Sequence, residues 1–139
     1  MKRIPSIKSV MTPFPYSVDI NASVDEALRF MREHKIRHLP VKDNGELSGV
    51  VSDRDIKLML GPDFAYPEAS DLKVRTAMAA DSYIVDLSTP LDDVLSHMAE
   101  HRLGSAVVTR DKKLVGVFTS TDACRVFAEQ LRSDHIVTS

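Results

Sequence analysis

At 139 residues, 43% hydrophobic and 27% charged, the chain is long enough for one globular core, or for two small units that share one. Its 18 Lys and Arg against 20 Asp and Glu give a formal net charge of -2, which supplies no general attraction for a polyanionic duplex and disfavours broad nucleic-acid binding. No apolar run approaches the roughly 20 residues that cross a bilayer, and Met1-Lys2-Arg3-Ile4-Pro5 is not followed by a signal-peptide core, which predicts a cytoplasmic protein.

Along the chain, residues 17–20 form a first short extended segment. A helix start follows at Ser23-Val24-Asp25-Glu26, with a hydroxyl N-cap and an acid at the third helical position. Val24, Ala27, Leu28 and Met31 then recur at helical spacing, so this helix buries one stripe. Two extended runs come next, His38-Leu39-Pro40-Val41 and Leu47-Ser48-Gly49-Val50-Val51, joined by Asp43-Asn44-Gly45-Glu46, whose Asn-Gly is a strong hairpin signal. A helix from about residue 53 to 60 closes the unit, stopped by Gly61-Pro62. Residues 62–73 read as a linker.

The second half repeats the first. A shift of 67 positions aligns residues 7–56 with residues 74–123 without a gap, and 14 of the 50 pairs are identical, against roughly three expected by chance. Such a match marks an internal duplication. The second copy has an extended segment at residues 84–87 and a helix start at Thr89-Pro90-Leu91-Asp92, with Thr89 as N-cap and Pro90 at the first helical position. Leu91, Val94, Leu95 and Met98 form its buried stripe. Its hairpin turn, Arg110-Asp111-Lys112-Lys113, lacks glycine and predicts a longer or differently shaped connection. A last helix is expected at residues 120–132, and Cys124, beside Ala123 and Val126, is expected to be a buried structural thiol. The predicted class is α+β, with two βαββα units packed as a pseudo-twofold pair and clefts where the copies meet.

These segments resemble tandem CBS domains, the pair called a Bateman module. The likeness rests on Val10-Met11-Thr12-Pro13, His34 through Val41 and Leu47 through Ile56 in the first copy, and on Ala77-Met78, His101 through Val108 and Leu114 through Asp122 in the second. It places a first CBS domain at 7–61 and a second at 74–132. It implies regulatory binding of adenosyl ligands (AMP, ADP or ATP first, S-adenosylmethionine or an NAD-type dinucleotide otherwise), assembly as a homodimer, and action on an unidentified partner protein rather than catalysis. For the base, it implies contacts from Ser17, Val18 and Pro40 in the first copy and from Tyr83, Ile84 and Ala106 in the second. Thr12 is a possible hydroxyl donor near the first copy.

The residues themselves point to the strand-to-helix turns. A fresh helix N-terminus offers unpaired N–H groups and positive dipole to a phosphate. Ser52 adds a hydroxyl there, and Asp55, one turn along, can accept hydrogen bonds from both hydroxyls of a ribose. Thr119 and Asp122 repeat the pair. The same spacing is also that of a helix capping box, as are Ser23-x-x-Glu26 and Thr89-x-x-Asp92, and both roles remain open from sequence. The copies are expected to differ: Arg54 has Thr121 as its counterpart in the repeat, and Arg37 and His38 correspond to Gly104 and Ser105, which gives the first copy more cationic donors for a phosphate chain.

Other constellations carry less. His97 and His101 stand four apart on one helix, but without a third ligand they read as a solvated face rather than a metal site. No acid–base pair or nucleophile motif stands out, so no catalytic residue is expected. Two other functions remain alternatives: a structural dimerisation adaptor with no ligand, and nucleic-acid binding through the scattered cations Lys2, Arg3, Lys8, Arg32, Lys35 and Arg37.

Overall fold

The computed structural model describes residues 4–13, 16–61, 72–78 and 82–134. In chain order its elements are α1 (Ile7–Val10), β1 (Thr12–Pro13), β2 (Val18–Asp19), α2 (Val24–His34), β3 (His38–Asp43), β4 (Glu46–Ser52), α3 (Asp53–Leu60), α4 (Val74–Ala77), β5 (Ile84–Asp86), α5 (Leu91–His101), β6 (Ser105–Arg110), β7 (Lys113–Thr119) and α6 (Ser120–Asp134). The fold is α+β and repeats strand, helix, hairpin, helix twice. The predicted linker falls on residues 62–71, outside the described residues, apart from Leu72 and Lys73 at its end.

Two compact units divide the chain, and they do not coincide with the sequence copies. One is continuous, Pro15–Ser82; the other is composite, Met1–Phe14 with Tyr83–Ser139. Each unit therefore takes its short lead-in helix from the opposite copy of the repeat.

In the continuous unit, β2 runs parallel to β3, and β3 pairs antiparallel with β4. Helix α2 packs Val24, Ala27 and Met31 into the core. Ser23 caps it as expected, its Oγ accepting from Glu26 N–H at 3.1 Å. Its C-terminal Lys35 turns left-handed at φ 55. Residues 72–78 are stitched to the start of this unit by three backbone bonds: Val24 N–H to Leu72 O (2.8 Å), Val74 N–H to Ala22 O (2.8 Å) and Arg75 N–H to Ile20 O (3.0 Å). Farther on, Ser82 Oγ accepts from Val50 N–H at 2.9 Å. Gly49 gives these side chains their room, because a Cβ there would lie 2.6 Å from Met78 Cε and 2.7 Å from Ser82 Oγ.

Among the described residues, the composite unit repeats the arrangement with four strands, in the order β1-β7-β6-β5. Phe118, Ala106 and Val108 from the sheet pack with Leu91, Val94 and Met98 of α5. Ile7 of α1 enters the same cluster at 1% exposure, so residues 4–13 supply core as well as an edge strand. Burying a side chain of that size contributes about 2 kcal/mol. Strand β1 lies antiparallel to β7, with Thr12 opposite Val117 and Pro13 opposite Gly116. Gly116 meets the lead-in as Gly49 does, since a Cβ would stand 2.6 Å from Met11 Sδ and 2.8 Å from Thr12 O.

Three sequence expectations are corrected. The second hairpin has the same shape as the first: Arg110 pairs with Lys113 as Asp43 pairs with Glu46, leaving two-residue turns in both. Asp111 and Lys112 adopt φ 51 and 66, beside 54 and 83 for Asn44 and Gly45. A two-residue turn of this hand matches the strand twist well enough that a lysine is held at positive φ. Thr89 does not cap α5. Pro90 occupies the N-cap without a side-chain cap bond, in the repeat register of Ser23, and Thr89 Oγ1 instead accepts from Asp86 N–H at 3.1 Å. Cys124 is exposed, because Asp122, Ala123 and Val126 take the inward face of α6 and Cys124 falls outside it.

Candidate functional site

Both strand-to-helix turns are built from the same backbone device. Asp53 N–H donates to Arg37 O at 3.0 Å, and Ser120 N–H donates to Gly104 O at 3.0 Å, which ties each closing helix to the start of the preceding hairpin. The capping reading of both turns is realised. In the continuous unit, Asp55 N–H donates to Ser52 Oγ (3.0 Å) and Ser52 N–H to Asp55 Oδ2 (3.4 Å). In the composite unit, Asp122 N–H donates to Thr119 Oγ1 (3.2 Å) and Thr119 N–H to Asp122 Oδ2 (3.0 Å). A reciprocal box satisfies two otherwise orphaned donors.

The two carboxylates then differ. Asp122 is 3% exposed and both its oxygens are engaged within the protein. Arg125 Nη2 donates to Oδ1 at 2.7 Å, Thr119 Oγ1 to Oδ2 at 3.1 Å, and Thr12 Oγ1 stands 3.4 Å from each oxygen. Arg125 also reaches Val10 O at 3.4 Å, so the lead-in and α6 hold the carboxylate from two sides. Asp55 is half-buried, and its Oδ1 has no hydrogen-bond partner among the described residues. The position that Arg125 occupies is Leu58 in the first copy, 71% exposed and unable to donate.

Thr12 thus sits with the second copy's aspartate, not the first copy's turn. No sequence signal marked this, because the repeat places Thr12 at the head of copy one while the fold carries it into the composite unit.

His38 faces Ser52 across the hairpin. Burial pushes its imidazole below the ordinary histidine range, opposed by the carboxylates of Asp53 and Asp55 and assisted by the Arg37 charge. The continuous unit therefore gathers His38, Ser52 and Asp55 at one turn, with Arg54 exposed on the first turn of α3. Ser17 and Val18 are half-buried, on or just before the strand whose Val18 lies opposite Val41, and Pro40 is fully buried. In the composite unit, Ile84 is 45% exposed, Ala106 is fully buried in the core and Thr121 is exposed. Burial, with the Asp93 charge second, raises the Tyr83 phenol above its ordinary range. Arg37, just before β3, is exposed, and its side chain borders a cavity between α2 and α3.

Paired ring clusters also went unread in the sequence. Tyr83 stacks on His97 with centroids 4.2 Å apart, and His97 lies 4.2 Å from His101. Tyr16 and Phe30 flank His34 at 4.3 Å each. The signal was present, since Tyr16, Phe30 and His34 align with Tyr83, His97 and His101 in the repeat. Among the described residues, no group of three or more His, Cys, Asp or Glu is placed to hold a metal ion. No described helix is long and apolar enough to cross a membrane.

The chain is thus a duplicated strand-helix-hairpin-helix module with capped turns at matching positions. The chain belongs to the CBS domain family, whose model matches residues 7–61 and 70–129. It is similar to YlbB of Bacillus subtilis, at 34% identity over 118 residues that cover 84% of this chain and 78% of that one. It is similar, at 28% identity over 123 residues, to an L-aspartate semialdehyde sulfurtransferase of Methanocaldococcus jannaschii, of whose length the match spans 23%. Among solved structures, the CBS domain pair of protein MJ0100 in complex with 5′-methylthioadenosine and S-adenosyl-L-methionine superposes with a TM-score of 0.80 at 26% identity, covering 92% of this chain and 99% of that one.

Proposed function

We propose that this chain is a non-catalytic regulatory module that binds an adenosyl ligand at the Ser52–Asp55 turn and changes the activity of a partner protein. One observation carries the reading: the Asp55 carboxylate is fixed by its capping box, yet its Oδ1 has no hydrogen-bond partner among the described residues, on a residue that is only half-buried. Such an oxygen suits the two hydroxyls of a ribose, and charge-assisted hydrogen bonds of this kind are the stronger ones. Ser52 and Arg54 offer a hydroxyl and a charge to phosphates, with Ser17, Val18 and Pro40 as the base-side surface. The similar MJ0100 pair was solved with two adenosyl compounds, which supports the ligand class.

The turn at Thr119–Asp122 takes the lesser share. Its carboxylate already accepts from Arg125, Thr119 and Thr12, so a ligand there must displace a 2.7 Å ion pair. Thr12, Tyr83, Ile84, Ala106 and Thr121 are the contacts a ligand would use there, once it displaced that pair. AMP, ADP or ATP is the first choice, and the active form is a homodimer.

Calorimetric titration of the full chain with AMP, ATP, S-adenosylmethionine and 5′-methylthioadenosine tests this. Asp55→Ala is expected to weaken binding at least tenfold, and Asp122→Ala much less. Equal losses from the two variants would remove the asymmetry. No heat with any of the four ligands would favour a structural dimerisation adaptor instead.

A further inference from the structure

In the continuous unit, a cavity of about 320 Å³ opens between α2, α3 and the residues leading into β3. Four cationic side chains line it, Arg32, Lys35, Arg37 and Lys57, with Asp53 as the single acid. Lys57 pairs with Asp53 at 3.5 Å. Among the described residues, Arg32, Lys35 and Arg37 take part in no ion pair. A chain of net charge -2 thus concentrates three uncompensated cations around one concavity.

The duplication supplies its own comparison. In the second copy the matching positions are Ala99, Arg102, Gly104 and Cys124, with Ser120 in place of Asp53. Both copies keep a cation at the left-handed residue that ends the long helix, Lys35 and Arg102, each at φ 55. A cation there interacts favourably with the helix dipole, so one positive charge has a structural reason. That reason does not extend to Arg37 or Lys57, and α5 folds to the same length as α2 with Ala99 in place of Arg32.

We infer that this cavity, which shares Asp53 with the Ser52–Asp55 turn but is lined by neither Ser52 nor Asp55, is a second binding site, for a small anion carrying a diphosphate or similarly compact phosphate group. Two arginine forks match phosphate oxygens in pairs, which a carboxylate ligand would use less fully. The volume lies at the small end of the range for ligand pockets, about 300 to 1,000 Å³, which suits a compact anion. Leu28, Met31 and Ile36 form the apolar floor between these cations.

The test uses inorganic pyrophosphate, which carries no nucleoside, titrated calorimetrically into the full chain at low and at physiological ionic strength. Saturable binding at one site is expected, weakening as salt rises. Arg32→Ala and Arg37→Ala should each raise the dissociation constant about tenfold, the equivalent of one charge-assisted hydrogen bond. Arg102→Ala, at the matching place in the second copy, should leave it unchanged, and circular dichroism of the variants checks that the fold is kept. No binding, or an equal loss from Arg102→Ala, would overturn the proposal. Displacement of pyrophosphate by adenosine would also overturn it, by assigning the anion to the nucleoside turn.

Discussion

Thr12 and Asp122 lie 110 residues apart in the chain, and the threonine hydroxyl stands 3.4 Å from both oxygens of the aspartate. With Arg125 at 2.7 Å on the same carboxylate, this is the most heavily engaged acid of the two turns. Asp122→Ala keeps the cap that Thr119 provides, but leaves the part-buried Thr119 N–H and the Arg125 guanidinium without their acceptor, a loss of about 1 to 3 kcal/mol. Asp55→Ala at the more open turn loses only the 3.4 Å return bond from Ser52 N–H and should cost about 1 kcal/mol or less. Urea unfolding of the two variants should rank them in that order.

A pH dependence follows from His38. Burial holds its folded-state pKa below the unfolded value of 6.5, so the unfolded chain binds the proton more readily. The stability contributed by neutral His38 is fully present above that unfolded pKa and is lost as pH falls through the folded one. Asp53 and Asp55 oppose the shift and Arg37 assists it, which keeps the effect moderate. Urea midpoints of the parent and of His38→Gln, measured between neutral and mildly acidic pH, should converge as pH drops.

The two glycines at the lead-in crossings should not tolerate alanine equally. At Gly116 the new Cβ meets the backbone oxygen of Thr12 at 2.8 Å, which moves only with strand β1. At Gly49 it meets side-chain atoms, Met78 Cε at 2.6 Å and Ser82 Oγ at 2.7 Å, which can rotate away. Gly116→Ala is therefore expected to destabilise by about 1 to 3 kcal/mol, and Gly49→Ala by less, in thermal or urea unfolding.

Lys112 holds φ 66 in the second hairpin turn, a conformation that costs a non-glycine residue about 1 kcal/mol. Lys112→Gly reproduces the Asn44-Gly45 pattern of the first copy. Its melting temperature should rise by a few degrees; an unchanged or lower value would show that the lysine is not strained there.

The repeat, the helix stripes and the α3 boundaries were legible because each rests on local periodicity and on residues close in sequence. The Ser52 and Thr119 caps were legible for the same reason. What escaped was long-range. Nothing local joins Thr12 to Asp122, or distinguishes Leu58 from Arg125 as the neighbour that leaves one carboxylate open and closes the other. The Asp111-Lys112 turn escaped because pairing along the whole of β6 and β7 outweighs the preference of two residues. Cys124 was misplaced by its neighbours' hydrophobicity, one position away from the face that is buried.

The crossing of the lead-ins changes what a single copy of this motif can be. A polypeptide holding one copy would present the strand around its glycine without the segment that covers it, and a second molecule could donate that segment. Joining two copies in one chain turns that bimolecular exchange into an intramolecular one, with an effective concentration set by the short connection rather than by expression level. Cleavage within residues 62–71 should accordingly yield two fragments, each short of a complete unit, that recover their structure only when mixed.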